Sequence, residues 1–112
     1  MAEDRYRLDV LAQLIDTLEQ RRHVSPKESY TAKLLSQGRH KCAKKLGEEA
    51  VEMALALVDG KKKHVRAEAA DLMYHFLVAL MARDIPFADI MAELESRFGL
   101  SGLEEKASRK ED

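Results

Sequence analysis

Four carboxylates stand symmetrically about one glycine. Glu49 and Glu52 precede Gly60 by eleven and eight residues, and Glu68 and Asp71 follow it by eight and eleven. On helices, residues three apart share a face, so each pair makes a two-toothed carboxylate comb. If Gly60 turns a helical hairpin, at ~1.5 Å of rise per residue both combs lie roughly 12–16 Å from the turn and face each other. Two like charges ~4 Å apart repel by roughly 4 kcal/mol at an effective dielectric of 20, so four converge only if protonated or neutralised. Bound cations resolve this. All-oxygen ligation with no cysteine and no committed histidine selects a hard ion, Mg²⁺ or Mn²⁺, which keeps waters and completes its shell with substrate phosphates.

Basic residues lie about one helical turn before the first comb: Arg39, Lys41, Lys44 and Lys45. Lysines beside a carboxylate-held cation are what a polyphosphate requires, one charge set for the metal and another for the oxygens it does not cover. The plainer alternative is a set of surface glutamates paired with lysines, since Lys45 and Glu49, and Lys44 and Glu48, are four apart. That order, lysine before glutamate, is the weaker one. A di-iron carboxylate bundle needs a Glu-x-x-His step on two helices, and Glu68 is followed three later by Asp71 instead. His23, His40, His64 and His75 read as structural or exposed rather than as ligands, with a role for His75 behind the ligands as the alternative.

The elements that must position these groups follow from apolar periodicity. Leu8, Leu11, Leu14, Ile15 and Leu18 recur at steps of three and four, which predicts an amphipathic helix from about Asp4 to Arg22. Ser25-Pro26-Lys27-Glu28 offers an N-cap, a proline at the first helical position and a glutamate three after the cap, so a short helix over Pro26–Ser36 is expected. Gly38 punctuates, and a longer helix runs to Asp59. At ~100° per residue, Cys42, Leu46, Met53 and Ala56 fall within about 60° of Glu49, and Glu52 lies about 60° to the other side. The acids therefore sit in or beside the apolar stripe, where glutamates are rare without a partner. Gly47 within this helix marks a kink or a close approach. Lys61, Lys62 and Lys63 read as a solvated turn.

The helix from Lys63 to Arg83 carries Leu72–Ala82, apolar on nearly every side, and such a helix is central or shared with another subunit. A homodimer or higher homo-oligomer is expected. Pro86 opens a last helix with Phe87, Ile90, Met91, Leu94 and Phe98, and the chain is expected to be loose beyond Lys106. The class is all-α: an antiparallel helical bundle of four main helices plus a short one, in one domain over residues 1–112.

With 19 basic and 20 acidic residues the net charge is −1, which gives no bulk case for a nucleic-acid partner. There is neither a charged-then-apolar leader nor an uncharged run of ~18 apolar residues, and the single Cys42 allows no intrachain disulfide. The expectation is a soluble cytoplasmic protein with no membrane partner, and Cys42 as a small buried filler.

Glu48-Glu49-Ala50-Val51-Glu52, then fifteen residues, then Glu68-Ala69-Ala70-Asp71, resembles the E-E-x-x-E and E-x-x-D signature of the all-α nucleotide pyrophosphohydrolases, the MazG-like and dimeric dUTPase superfamily. Within it, Ser29-Tyr30-Thr31, Lys44–Glu49, Asp71–His75 and Gly99–Lys106 are similar to the phosphoribosyl-ATP pyrophosphohydrolases of histidine biosynthesis. The resemblance implies Mg²⁺-dependent hydrolysis of 1-(5-phosphoribosyl)-ATP to 1-(5-phosphoribosyl)-AMP and pyrophosphate. By matched position it implies Glu49, Glu52, Glu68 and Asp71 as metal ligands, and Glu48 or Glu49 as the group that acts on water. Lys41, Lys44 and Lys45 stand where phosphates would be met, with Ser29, Tyr30 and Thr31 in the nucleotide pocket. Two alternatives stay open on the residues: a house-cleaning hydrolase of non-standard nucleoside triphosphates, and a non-catalytic helical interaction module.

Overall fold

The computed structural model of the chain describes residues 5–99 and 102–111. Among the described residues six helices follow one another, α1 (Leu8–Arg21), α2 (Tyr30–Ser36), α3 (Arg39–Asp59), α4 (Lys62–Ala82), α5 (Phe87–Ser96) and α6 (Gly102–Glu111), and these residues contain no strand. The all-α expectation holds. The tail differs from expectation, since residues beyond Lys106 continue as α6. Leu100 and Ser101, within the family-like tail, lie outside the described residues, as does Asp4, where the first helix was expected to begin. Arg5 and Tyr6 are helical, Arg7 interrupts the run with a left-handed backbone at φ 58° and ψ 44°, and α1 continues from Leu8.

The short helix also begins later than Pro26. Ser25 is spent on a turn, with its carbonyl accepting from Glu28 N–H at 2.8 Å and its Oγ from Lys27 N–H at 3.2 Å. The chain then runs extended through Ser29, whose Oγ accepts from Ala32 N–H at 3.2 Å and is the true N-cap. Placing the start there carries Thr31, Ala32 and Leu34 into the interior. Ser29→Ala is therefore expected to cost about 1 kcal/mol, read as a lowered midpoint in urea, whereas Ser25→Ala stays within a few tenths. Equal effects of the two would count against this assignment of the cap.

Leu18, Leu34, Cys42, Leu77, Val78 and Met81 form the core, so it joins α1 and α2 to the start of α3 and the end of α4. Arg22 ties this end together. Its guanidinium donates to Asp84 Oδ1 at 3.0 Å and to the Met81 carbonyl at 3.4 Å, a cation placed at the C-terminus of α4 where the helix dipole favours it. Cys42 is buried and its Sγ donates to the Leu34 carbonyl at 3.4 Å; burial pushes the thiol pKa up, so it packs as a filler and is no nucleophile. Beyond the core the α3–α4 hairpin projects almost alone, and between Ala43 and Tyr74 only Ala56 is buried. α3 passes Gly47 without a break, and a Cβ there would meet nothing within 4 Å, so no neighbouring helix of the same chain approaches it closely.

Candidate metal and phosphate site

The two combs meet where the hairpin leaves the core. Glu49, Glu68 and Asp71 each offer one carboxylate oxygen within 4.8 Å of the other two. Glu49 and Glu68 are the inward pair, with side chains only 12% and 16% exposed, and the Oε2 atom of each is buried with no hydrogen-bond partner. Asp71 is exposed. An unpartnered buried oxygen costs roughly 1–3 kcal/mol, and more when charged, so two of them beside a third carboxylate call for a proton or a cation. Burial first, then the carboxylates of Glu52, Asp71 and Glu68, pushes the Glu49 carboxyl above its ordinary pKa. The donor set is all oxygen and fits a hard divalent cation.

The register argument about Gly60 thus brings Glu49, Glu68 and Asp71 together. Glu52 stays outside the close group. It is exposed on the wall of an open trough of about 640 Å³, lined also by Leu55, Ala56, Asp59, Gly60, His64 and Glu68. Glu48 is outside the group as well, half-exposed, with Oε2 3.5 Å from Lys45 Nζ. The Tyr30 phenol, then Glu48 and Glu49, push the partly buried Lys45 ammonium above its usual pKa. Lys41 and Lys44 are exposed on the same helix.

Of Ser29, Tyr30 and Thr31, only the tyrosine offers a free surface. Ser29 is buried as the helix cap, and Thr31 is buried with its Oγ1 2.6 Å from the Tyr74 hydroxyl. Tyr30 is exposed and lies nearly parallel to Tyr74, ring centroids 6.4 Å apart at 16°. His75 meets both rings edge-on, at 6.4 Å from Tyr30 and 5.0 Å from Tyr74. The two flanking side chains therefore hold the aromatic shelf in place.

Two histidines stand beside the inward glutamates, His75 buried and His64 exposed, as the structural-or-exposed reading of the sequence has them. His75 is buried, with Nε2 4.0 Å from Glu49 Oε1. Burial, then the nearby Lys45, lowers its pKa against the pull of Asp71 and Glu48, so it stands by Glu49 as a neutral imidazole. His64 Nε2 lies 3.4 Å from Glu68 Oε1. That pairing was legible as a step of four on one helix.

Known proteins resemble the chain over most of its length. The sequence model of the family described as phosphoribosyl-ATP pyrophosphohydrolase matches residues 11–98. A phosphoribosyl-ATP pyrophosphatase of Dinoroseobacter shibae is 51% identical over 102 residues, covering 91% of this chain and all of the relative. One of Jannaschia sp. is 54% identical over 99 residues, covering 88% of this chain and 97% of the relative. One of Paracoccus denitrificans is 50% identical over 100 residues, covering 89% and 93%. The matched span contains the three converging carboxylates, the lysines of α3 and the aromatic shelf, and on that match the chain belongs to the phosphoribosyl-ATP pyrophosphohydrolase family.

Proposed function

We propose that the chain hydrolyses 1-(5-phosphoribosyl)-ATP to 1-(5-phosphoribosyl)-AMP and pyrophosphate, the second step of histidine biosynthesis, with Mg²⁺ or Mn²⁺ as cofactor. The observation that carries this is the pair of buried, unpartnered glutamate oxygens beside Asp71, in a chain of this family. Glu49, Glu68 and Asp71 would hold the ion, with Glu52 as a fourth carboxylate one turn along. When bound, the ion supplies positive charge against the departing pyrophosphate and makes a water more acidic. Lys45, Lys41 and Lys44 meet phosphate oxygens with charge-assisted hydrogen bonds. Tyr30 flanks the nucleotide, held by the cap at Ser29 and the Thr31–Tyr74 contact. Glu49 is committed to the cluster, which leaves Glu48, held by Lys45 at the edge, to take the proton of the attacking water. The water oxygen bonds to the α-phosphorus, and the bond from that phosphorus to the α–β bridging oxygen breaks. The test is pyrophosphate release from phosphoribosyl-ATP with Mg²⁺ and with EDTA. Turnover of dUTP or dCTP in preference to phosphoribosyl-ATP, or no turnover of any of them, would overturn the reading.

The working unit is a homodimer or higher homo-oligomer. Val51, Leu55 and Val58 recur at steps of four and three along α3 and are 58%, 63% and 79% exposed, and Leu57, on another face, is 62% exposed. A soluble helix with so much apolar surface is covered in its working state. The radius of gyration, 16.2 Å, exceeds the about 13 Å of a compact chain of this length, as an unpacked hairpin would make it. Light scattering is expected to give at least twice 12.7 kDa, and Val51→Glu to return it towards one chain. A wild-type chain that stays at 12.7 kDa at micromolar concentration would exclude the oligomer. Among the described residues no helix is long and apolar enough to cross a membrane. A cytoplasmic location belongs to the same proposal, and cell fractionation that finds the chain elsewhere would remove it.

A further inference from the structure

The two inward glutamates share an asymmetry. Oε2 of each is buried and unpartnered, while Oε1 of each faces an imidazole nitrogen, His64 Nε2 at 3.4 Å from Glu68 and His75 Nε2 at 4.0 Å from Glu49. A carboxylate that can rotate about its last bond offers either oxygen to a cation. A donor held at one oxygen decides which is offered, and such outer partners set ligand orientation at metal centres.

We infer that His64 is a positioning residue of the carboxylate cluster, holding Oε1 of Glu68 on the trough side so that the buried Oε2 is the oxygen presented to a divalent cation. This rests on the metal reading above. The local structure keeps the imidazole in place from both sides. His64 stands one turn before Glu68 on α4, so their side chains are neighbours. Its other nitrogen lies over the hairpin turn: a Cβ built on Gly60 would come within 3.1 Å of His64 Nδ1 and 2.7 Å of the Ala56 carbonyl. Gly60 has an ordinary φ of −84°, so the bare backbone serves this close approach and not an unusual conformation. His64 keeps 59% of its side chain exposed, which makes it dispensable for packing. His75 is buried in the aromatic cluster, where its removal would disturb the fold, and His64 is the cleaner residue to test.

The test is the melting temperature of the full chain titrated with Mn²⁺ alone, for wild type, His64→Ala and His64→Gln. Without metal the three are expected to melt within about 2 °C of one another, as surface substitutions do. The Mn²⁺ concentration giving the half-maximal rise is expected to increase roughly tenfold in His64→Ala. His64→Gln, which can still donate an N–H to Glu68, is expected to restore it to within about threefold of wild type. A His64→Ala titration that superimposes on wild type overturns the inference while leaving the metal site standing, and so does a His64→Gln titration as weak as that of alanine. A wild-type chain with no Mn²⁺ response overturns the metal site and the inference together.

Discussion

Glu49→Gln and Asp71→Asn are each expected to reduce pyrophosphate release from phosphoribosyl-ATP on the order of 10³-fold in kcat/KM, with the helical circular dichroism unchanged. The size follows from what each side chain does. On the proposed mechanism a cation would offset the charge that develops on the departing pyrophosphate, and Glu49, Glu68 and Asp71, whose oxygens lie within 4.8 Å of one another, would hold it. Taking one away removes a stabilisation worth several kcal/mol in the transition state. Glu48→Gln separates binding from chemistry. It lies outside the close group and is proposed to move a proton, so it should lower kcat about 10²-fold and leave the apparent metal affinity near wild type. If Glu48→Gln instead weakens metal response as much as Glu49→Gln does, the division of labour between the two neighbouring glutamates is wrong. Retention of full turnover by Asp71→Asn would remove the cluster from the mechanism altogether.

The second large effect is on stability. Mg²⁺ at about a hundred times its dissociation constant is expected to stabilise the folded chain by ~2.7 kcal/mol, roughly 10 °C in Tm at about 4 °C per kcal/mol. Glu49→Gln should abolish that rise. In EDTA the same substitution should act in the opposite direction and raise Tm at pH 7. The Glu49 carboxyl has its folded-state pKa raised, first by burial and then by Glu52, Asp71 and Glu68. The folded chain therefore holds that proton more tightly than the unfolded chain does. The stability this confers is fully present below the ordinary carboxylate value of 4.5 and is lost as pH rises through the folded-state value. Metal-free wild type should thus melt higher at pH 5 than at pH 7, and Glu49→Gln should lose much of that dependence. The Mg²⁺ response distinguishes a metal centre from a structural cluster. In a merely structural cluster Mg²⁺ does not shift the melt, while the effect of Glu49→Gln in EDTA, which follows from burial and the neighbouring carboxylates, is the same in both cases.

The helices around the site were largely legible because their signals are local. Gly38 and Gly60 bound α3, and Leu8 to Leu18 mark one face of α1 by spacing alone. The misplaced start of α2 has an equally physical cause. Ser25 and Ser29 both have a serine's ability to cap, and the choice went to the one that sends Thr31, Ala32 and Leu34 inward, a matter of packing that no four-residue window contains. The carboxylate partners of the two histidines differ in how legible they were. His64 is a helical neighbour of Glu68 and could have been paired with it on spacing, whereas His75 and Glu49 are on different helices.

By itself the sequence determined the register of the hairpin, because a helix advances a set distance per residue and a glycine marks the turn. It thereby determined that Glu49 would stand level with Asp71 and Glu52 level with Glu68, and its resemblance to a family determined the chemistry expected there. Only the tertiary structure decided which carboxylates are buried. Glu52 has the residue type and level of a ligand, yet its side chain is exposed on the wall of the trough, outside the close group of three. Likewise the packing of α2 on Tyr74 engaged Ser29 and Thr31 and left Tyr30 open. Burial depends on what the neighbouring helices cover, and that information is spread over the whole chain.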